Sequence, residues 1–227
     1  MRAIILAAGL GTRLHGSDPE WPKCLVVING KTILDMQLDA LRACGITRVI
    51  MGVGFMADSI REHIEILHRD MDVQYVYNDL HASTNYIYTL HLCCQAAPDH
   101  GGKATILIHG DLVFDTTTLA KLIDNDGSGC VVVSRQRPKD FMGLQVKGRM
   151  RHIGIDGWCD VKPLYKLMPD CLEVWTEELR VWVLLGLTNR YAEDALNLVL
   201  DRVTMYAVSA PGGYCEDRKS TRLNSSH

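Results

Sequence analysis

The sequence predicts an α/β fold: a Rossmann-like, mostly parallel sheet with helices on both faces. Three observations carry this. Short apolar runs alternate with segments of helical periodicity through the first half of the chain. The first run, residues 3–8 (AIILAA), is uniformly apolar, as expected of a strand covered on both faces rather than an exposed edge. Gly9 and Gly11 follow it directly, and in such sheets ligands bind outside the carboxyl ends of the strands.

The remaining elements follow in order. Residues 33–44 place Leu34, Leu38 and Leu41 on one helical face, with Thr32 as N-cap and Gly45 as stop. RVIMGVG (48–54) reads as the next strand, followed by a helix with Ile60, Ile64 and Leu67 at helical spacing. VQYVY (73–77) is a third strand, a helix runs from Tyr86 to Gln95, and ATILIH (104–109) is a fourth strand ending in Gly110-Asp111. The second half is less regular. A strand is predicted at 130–134, a hairpin at 144–155, helices near 173–186 and 192–201, and a strand at 204–208. No internal repeat or linker-like composition interrupts the chain, so residues 1–217 are expected to form one domain. Residues 218–227 (RKSTRLNSSH) are polar and resemble translated sequencing-adapter sequence. They are expected to be a disordered native tail or a segment foreign to the fold.

Composition narrows the function classes. Of the 227 residues 47% are hydrophobic and 22% charged, which suits a globular core and opposes disorder. A formal net charge of -3 gives no reason to expect nucleic acid or an anionic membrane as partner. No apolar run approaches the ~20 residues a spanning helix needs. The single Arg2 and a short apolar stretch broken at Gly9 make a poor secretory signal. The eight cysteines show no C-x-x-C spacing and lie mostly in apolar runs, so reduced, structural thiols and a cytoplasmic setting are expected. The nine histidines form no H-x-x-x-H pair, and a zinc site is not expected.

The chemistry concentrates in LAAGLGTRL, residues 6–14. It is neither a Walker loop, which needs G-x-x-x-x-G-K-[ST], nor a full dinucleotide fingerprint, because Leu14 occupies the third glycine position. Gly-x-Gly alone fits a structural turn as well as a phosphate loop. Thr12 and Arg13 add a hydroxyl and a fork of donors beside backbone N–H groups, which suits a triphosphate. Pro22-Lys23 then supplies a second cation on a restrained backbone. Asp111 sits at a strand's carboxyl end, where it serves either as a turn residue or as a ligand for a hard cation. Trp158, Trp175 and Trp182 are read as core packing or, alternatively, as a cage for a quaternary ammonium group.

L-A-A-G-x-G-T-R-L followed by P-K resembles the signature of the nucleotidyltransferases that activate sugar phosphates and alcohol phosphates. Tyr77-Asn78-Asp79 with Thr84-Asn85-Tyr86-Ile87-Tyr88 is similar to the branch of phosphocholine and 2-aminoethylphosphonate cytidylyltransferases. The stretches 109–114, 139–141, 163–167 and 191–197 resemble that branch too, so the likeness runs from Met1 to about Cys215. It implies a nucleotide-diphospho-sugar transferase-like fold. It also implies a reaction in which CTP and a small phosphate or phosphonate acceptor are joined with release of pyrophosphate. By the same resemblance, Leu6, Ala8, Gly9, Gly11, Thr12, Arg13, Thr84 and Asn85 bind the nucleotide, and Lys23 with Arg13 serves the transition state. Tyr191 and Glu193 either start a helix or contact the acceptor. Mg2+ is the implied cofactor, held by Asp111. The family's C-terminal Cys is followed by Glu-Ile-Asp, whose Asp completes the metal site. Here Cys215-Glu216-Asp217 runs straight into the polar tail, so Asp217 takes that place or the segment is missing. No membrane partner is implied, and a homodimer is left open. Two other readings share these residues: a sugar-1-phosphate nucleotidyltransferase, and a nucleotide-binding regulatory relative that has lost its chemistry.

Overall fold

The first apolar run serves two layers at once, because successive side chains of a strand point to opposite faces. Ile4 and Leu6 join one buried cluster with Leu90, Leu107 and Trp175, whereas Ala3 and Ile5 join another with Leu34, Leu38, Met51 and Ile108. The computed structural model describes residues 1–10, 21–96, 102–133, 142–154, 159–210 and 215–217. The stretches 139–141 and 218–227 and residue Trp158 therefore lie outside the described residues.

The chain forms β1 (Arg2–Ala7), a 3-10 turn (Lys23–Leu25), the short pair β2 (Val27–Ile28) and β3 (Lys31–Thr32), and α1 (Ile33–Ala43). Next come β4 (Arg48–Val53), α2 (Ala57–Leu67), β5 (Asp72–Tyr77), α3 (Tyr86–Ala96), β6 (Thr105–His109), β7 (Leu112–Phe114) and α4 (Thr116–Asp124). The rest is β8 (Ser128–Val133), β9 (Met142–Val146), β10 (Arg149–Gly154), β11 (Cys159–Leu167), α5 (Pro169–Leu184), α6 (Ala192–Asn197), β12 (Met205–Ser209) and β13 (Cys215–Asp217). Thr32 caps α1 in a full capping box with Asp35, and Gly45 follows it at φ 72°, as its role as stop requires.

The main sheet has the order β5-β4-β1-β6-β11-β8-β12-β10-β9. Its first four strands are parallel, joined by helical crossovers as the alternating sequence implies. Beyond β6 the strands change direction: β11 runs antiparallel to β6 and β8, and β12 is parallel to β8. A further β11–β9 pairing closes the ring β11-β8-β12-β10-β9. The hairpin expected at 144–155 is β9–β10.

Three details depart from expectation. Leu67, placed on the buried face of its helix by spacing, is 59% exposed, because α2 ends there and only Ile60 and Ile64 reach the core. The second helix of the pair ends at Asn197 rather than near 201. The long strand β11 was not legible because it carries Pro163. The register to β8 shifts between Lys162 and Tyr165, so the residue without an N–H falls where the ladder is already interrupted. Among the described residues, no helix is long and apolar enough to cross a membrane.

Candidate active site

The site is organised around the turn between β6 and β7. Gly110 donates its N–H to the Leu6 carbonyl at 2.9 Å, joining this turn to the end of β1. An added Cβ at Gly110 would lie 2.9 Å from that carbonyl oxygen, so the close approach requires glycine. From the other side the buried Gln37 of α1 donates its amide to the carbonyls of His109 (2.9 Å) and Leu112 (2.7 Å). Asp111 is thus clamped between two elements.

Lys23 arrives from the opposite end of the sequence. Pro22 opens the 3-10 turn and Leu25 bonds back to its carbonyl at 3.0 Å, while Cys24 is buried and anchors the turn in the core under α1. Burial pushes the Cys24 thiol up to about 12, so it is an apolar anchor and not a nucleophile. The anchored turn presents Lys23 Nζ at 3.3 Å from Asp111 Oδ2, although the two residues are 88 positions apart. Burial alone would raise the Asp111 carboxyl. The Lys23 charge and hydrogen bond outweigh it and hold the group below the usual carboxylate range. Asp111 is therefore an ionised, oriented carboxylate at neutral pH.

A second carboxylate position lies next to it. β13 runs antiparallel to β7 with Asp217 opposite Leu112, so the backbone brings position 217 beside Asp111. The Asp111 carboxylate, a hard oxygen donor kept ionised, fits the needs of Mg2+.

Behind Asp111 runs a polar seam. The ring of His109 meets Tyr86 edge-on at 4.5 Å, and its Nε2 is buried with no hydrogen-bond partner among the described residues. Burial, ahead of the smaller electrostatic influences, lowers the imidazole's pKa, so it is neutral. Tyr86 and Tyr165 each donate a hydroxyl to the buried carboxylate of Glu193, the latter at 2.7 Å. Burial, reinforced by Glu193, pushes both phenols up, so they remain donors. Tyr191, the N-cap of α6, lies with its ring 6.0 Å from that of Tyr86.

The sequence-derived residues divide accordingly. Leu6 and Ala8 are buried at the end of β1, with the Ala8 carbonyl accepting from Phe55 at 3.1 Å, and among the described residues nothing lies within 4 Å of a Cβ added at Gly9. Gly11, Thr12 and Arg13 lie outside the described residues. Thr84 and Asn85 lead into α3: Thr84 Oγ1 accepts from the buried Asn78 and donates to the Leu80 carbonyl, and Asn85 Oδ1 accepts the Tyr86 N–H. Trp175 is fully buried, donates to the Ala192 carbonyl and packs against Tyr165, so it is core; Trp182 donates to Glu178 along its own helix.

Sequence reasoning missed Gln37, His109 and the buried ion pair Lys162–Asp160 (3.2 Å). The antiparallel register Leu164↔Ile108 carries Lys162 toward the carboxyl end of β6, on the side of Asp111. Gln37 leaves a readable trace, a polar residue inside the apolar face formed by Leu34, Leu38 and Leu41. The others leave none.

Comparison with known proteins gives a concordant result. The family model of the MobA-like NTP transferase domain matches residues 3–185. A choline-phosphate cytidylyltransferase from Streptococcus pneumoniae is 40% identical over 92 residues, 40% of this chain and 38% of the relative. A CMP-5'-(3-aminopropyl)phosphonate synthase from Streptomyces rubellomurinus is 31% identical over 135 residues, 60% of this chain and 21% of the relative. The match thus spans less than half the length of either. N-acetylmuramate and glucose 1-phosphate uridylyltransferases match as well. The solved structure of CTP:phosphocholine cytidylyltransferase from Streptococcus pneumoniae has the same fold, with a TM-score of 0.77 at 21% identity over 98% of this chain and 96% of that one.

Proposed function

Because the chain belongs to the MobA-like NTP transferase family, we propose that it is a cytidylyltransferase joining CTP to a small phosphate or phosphonate acceptor. The carrying observation is the convergence of Lys23 and Asp111 at 3.3 Å on the carboxyl edge of the parallel strands. An acceptor oxygen attacks the α-phosphorus of CTP. The new P–O bond forms as the α–β anhydride bond breaks, and its electron pair leaves with pyrophosphate. Both reactants are anions, so the barrier is chiefly electrostatic and positional.

Lys23 supplies a fixed positive charge between the α-phosphate and the acceptor, where charge builds in the transition state. Arg13 and the backbone amides of residues 9–12 hold the β- and γ-phosphates, and Thr84 and Asn85 border the nucleoside. Asp111, with position 217 beside it on the backbone, would hold Mg2+, which would neutralise phosphate charge there. On the acceptor side, the exposed ring of Tyr191 beside Tyr86 offers an aromatic edge that complements an amine or ammonium head group, with the buried Glu193 and its two phenols behind it. The relatives named for choline phosphate and an aminopropylphosphonate support that class of acceptor. A cytoplasmic setting, where CTP is available, belongs to the same reading.

The test is pyrophosphate release from each of the four NTPs, paired in turn with phosphocholine, 2-aminoethylphosphonate and glucose 1-phosphate, with and without Mg2+. Release from CTP with an amine-bearing acceptor, dependent on Mg2+, is expected. Release confined to UTP with the sugar phosphate would replace the reading, and no release from any pairing would overturn it.

A further inference from the structure

On the sheet face covered by α1 and α2, three side chains unconnected with the cleft converge. Asp35 stands in the first turn of α1, His63 in α2 and His68 immediately after it. Both imidazole Nε2 atoms lie 2.7 Å from the same oxygen, Asp35 Oδ1. One ligand atom from each residue falls within 4.8 Å of the other two. We propose that Asp35, His63 and His68 form a binding site for one divalent transition-metal ion of the Zn2+ type, separate from the metal position at Asp111.

The donor set fits that class of ion. Two imidazole nitrogens and one carboxylate oxygen suit a borderline cation, and three protein ligands leave a fourth position for water. The side chains are 16% (Asp35), 18% (His63) and 6% (His68) exposed, so an ion can enter without unfolding the region. The ligands are oriented by their surroundings. The second Asp35 oxygen accepts the Thr32 N–H at 3.0 Å, while Thr32 Oγ1 accepts the Asp35 N–H.

Binding requires each Nε2 to present its lone pair, with the ring proton on Nδ1. At His68 this breaks a 3.1 Å contact with Arg42 Nη2. Arg42 is left well held, because it also bonds Asp39 through Nη1 and Asp70 through Nε and Nη2.

The experiment uses the full chain after metal removal, titrated with ZnCl2 by calorimetry and with Co2+ by absorption. One equivalent should bind, and the Co2+ spectrum should lack thiolate charge-transfer bands, which excludes cysteines such as Cys44 as ligands. His63→Gln and His68→Gln should each weaken Zn2+ binding by at least about tenfold, the lower bound for disturbing a metal site's supporting shell. Circular dichroism checks that both variants are folded; if one is not, the other variant and the parent's Co2+ spectrum decide. Asp111→Asn should bind Zn2+ at this site as the parent does. Absence of saturable binding, a thiolate-type spectrum, or parental affinity in the folded histidine variants would overturn the proposal.

Discussion

Replacing Lys23 by alanine separates what its ion pair does for catalysis from what it does for folding. The ammonium lies 3.3 Å from Asp111. At an effective dielectric of about 20, the Coulomb attraction over that distance is roughly 5 kcal/mol. Lost hydration offsets most of it, and the two side chains keep 24% and 31% exposure, so the net contribution to folding falls to about 1 kcal/mol or less. For a chain of this size that corresponds to a fall in Tm of about 2–4 °C. Turnover should respond far more. Loss of one preorganised charge-stabilising group costs about 10²–10³-fold in kcat, or roughly 2.7–4 kcal/mol. Without Lys23 the Asp111 carboxyl loses the charge and hydrogen bond that lower it and moves up, but the turn that carries it stays held by Gln37. The variant should therefore keep its Mg2+ response while losing rate. The assay is pyrophosphate release at saturating CTP and acceptor, run beside thermal unfolding of the same samples. Turnover within about threefold of the parent, under roughly 0.7 kcal/mol, would refute the catalytic role. A fall in Tm beyond about 8 °C would make Lys23 structural instead.

Three other expectations follow from the same geometry. Asp111→Asn should abolish Mg2+-dependent turnover with the fold intact by circular dichroism, because a neutral amide is a poor ligand for a hard cation; a preserved Mg2+ titration would place the metal elsewhere. Gln37→Met removes the donors that hold the carbonyls of His109 and Leu112, and should cost about 1–3 kcal/mol in urea unfolding. Because the freed turn carries Asp111, kcat should fall more than KM rises, and unchanged kinetics would show that Gln37 does not position it. Asp35 has a folded-state pKa below its unfolded value, so its stabilisation is present above about pH 4 and is lost as pH falls through the folded value. In metal-stripped protein Asp35→Asn should be less stable than the parent at pH 7, with the gap closing toward about pH 2. A gap of constant size across that range in urea titrations would deny the carboxylate's contribution.

Features with a local cause are legible in the residues alone. The alternation that sends Ile4 and Leu6 to one face and Ala3 and Ile5 to the other is visible in the residues, as are the Thr32 cap and the Gly45 stop. Lys23 and Asp111 could each be named from the residues around them. Their meeting could not, because it depends on the order β4-β1-β6 and on where the 3-10 turn is anchored by Cys24. The same holds for Gln37 under the Asp111 turn, for Tyr86, Tyr165 and Glu193 drawn from three elements, and for Asp217 opposite Leu112. It holds most plainly for Asp35, His63 and His68, whose spacing matches no metal motif although their ligand atoms share one small volume. Periodicity and capping are written within a few residues of each position. Which polar side chains face one another is decided by strand order and helix packing, and those are properties of the whole buried core.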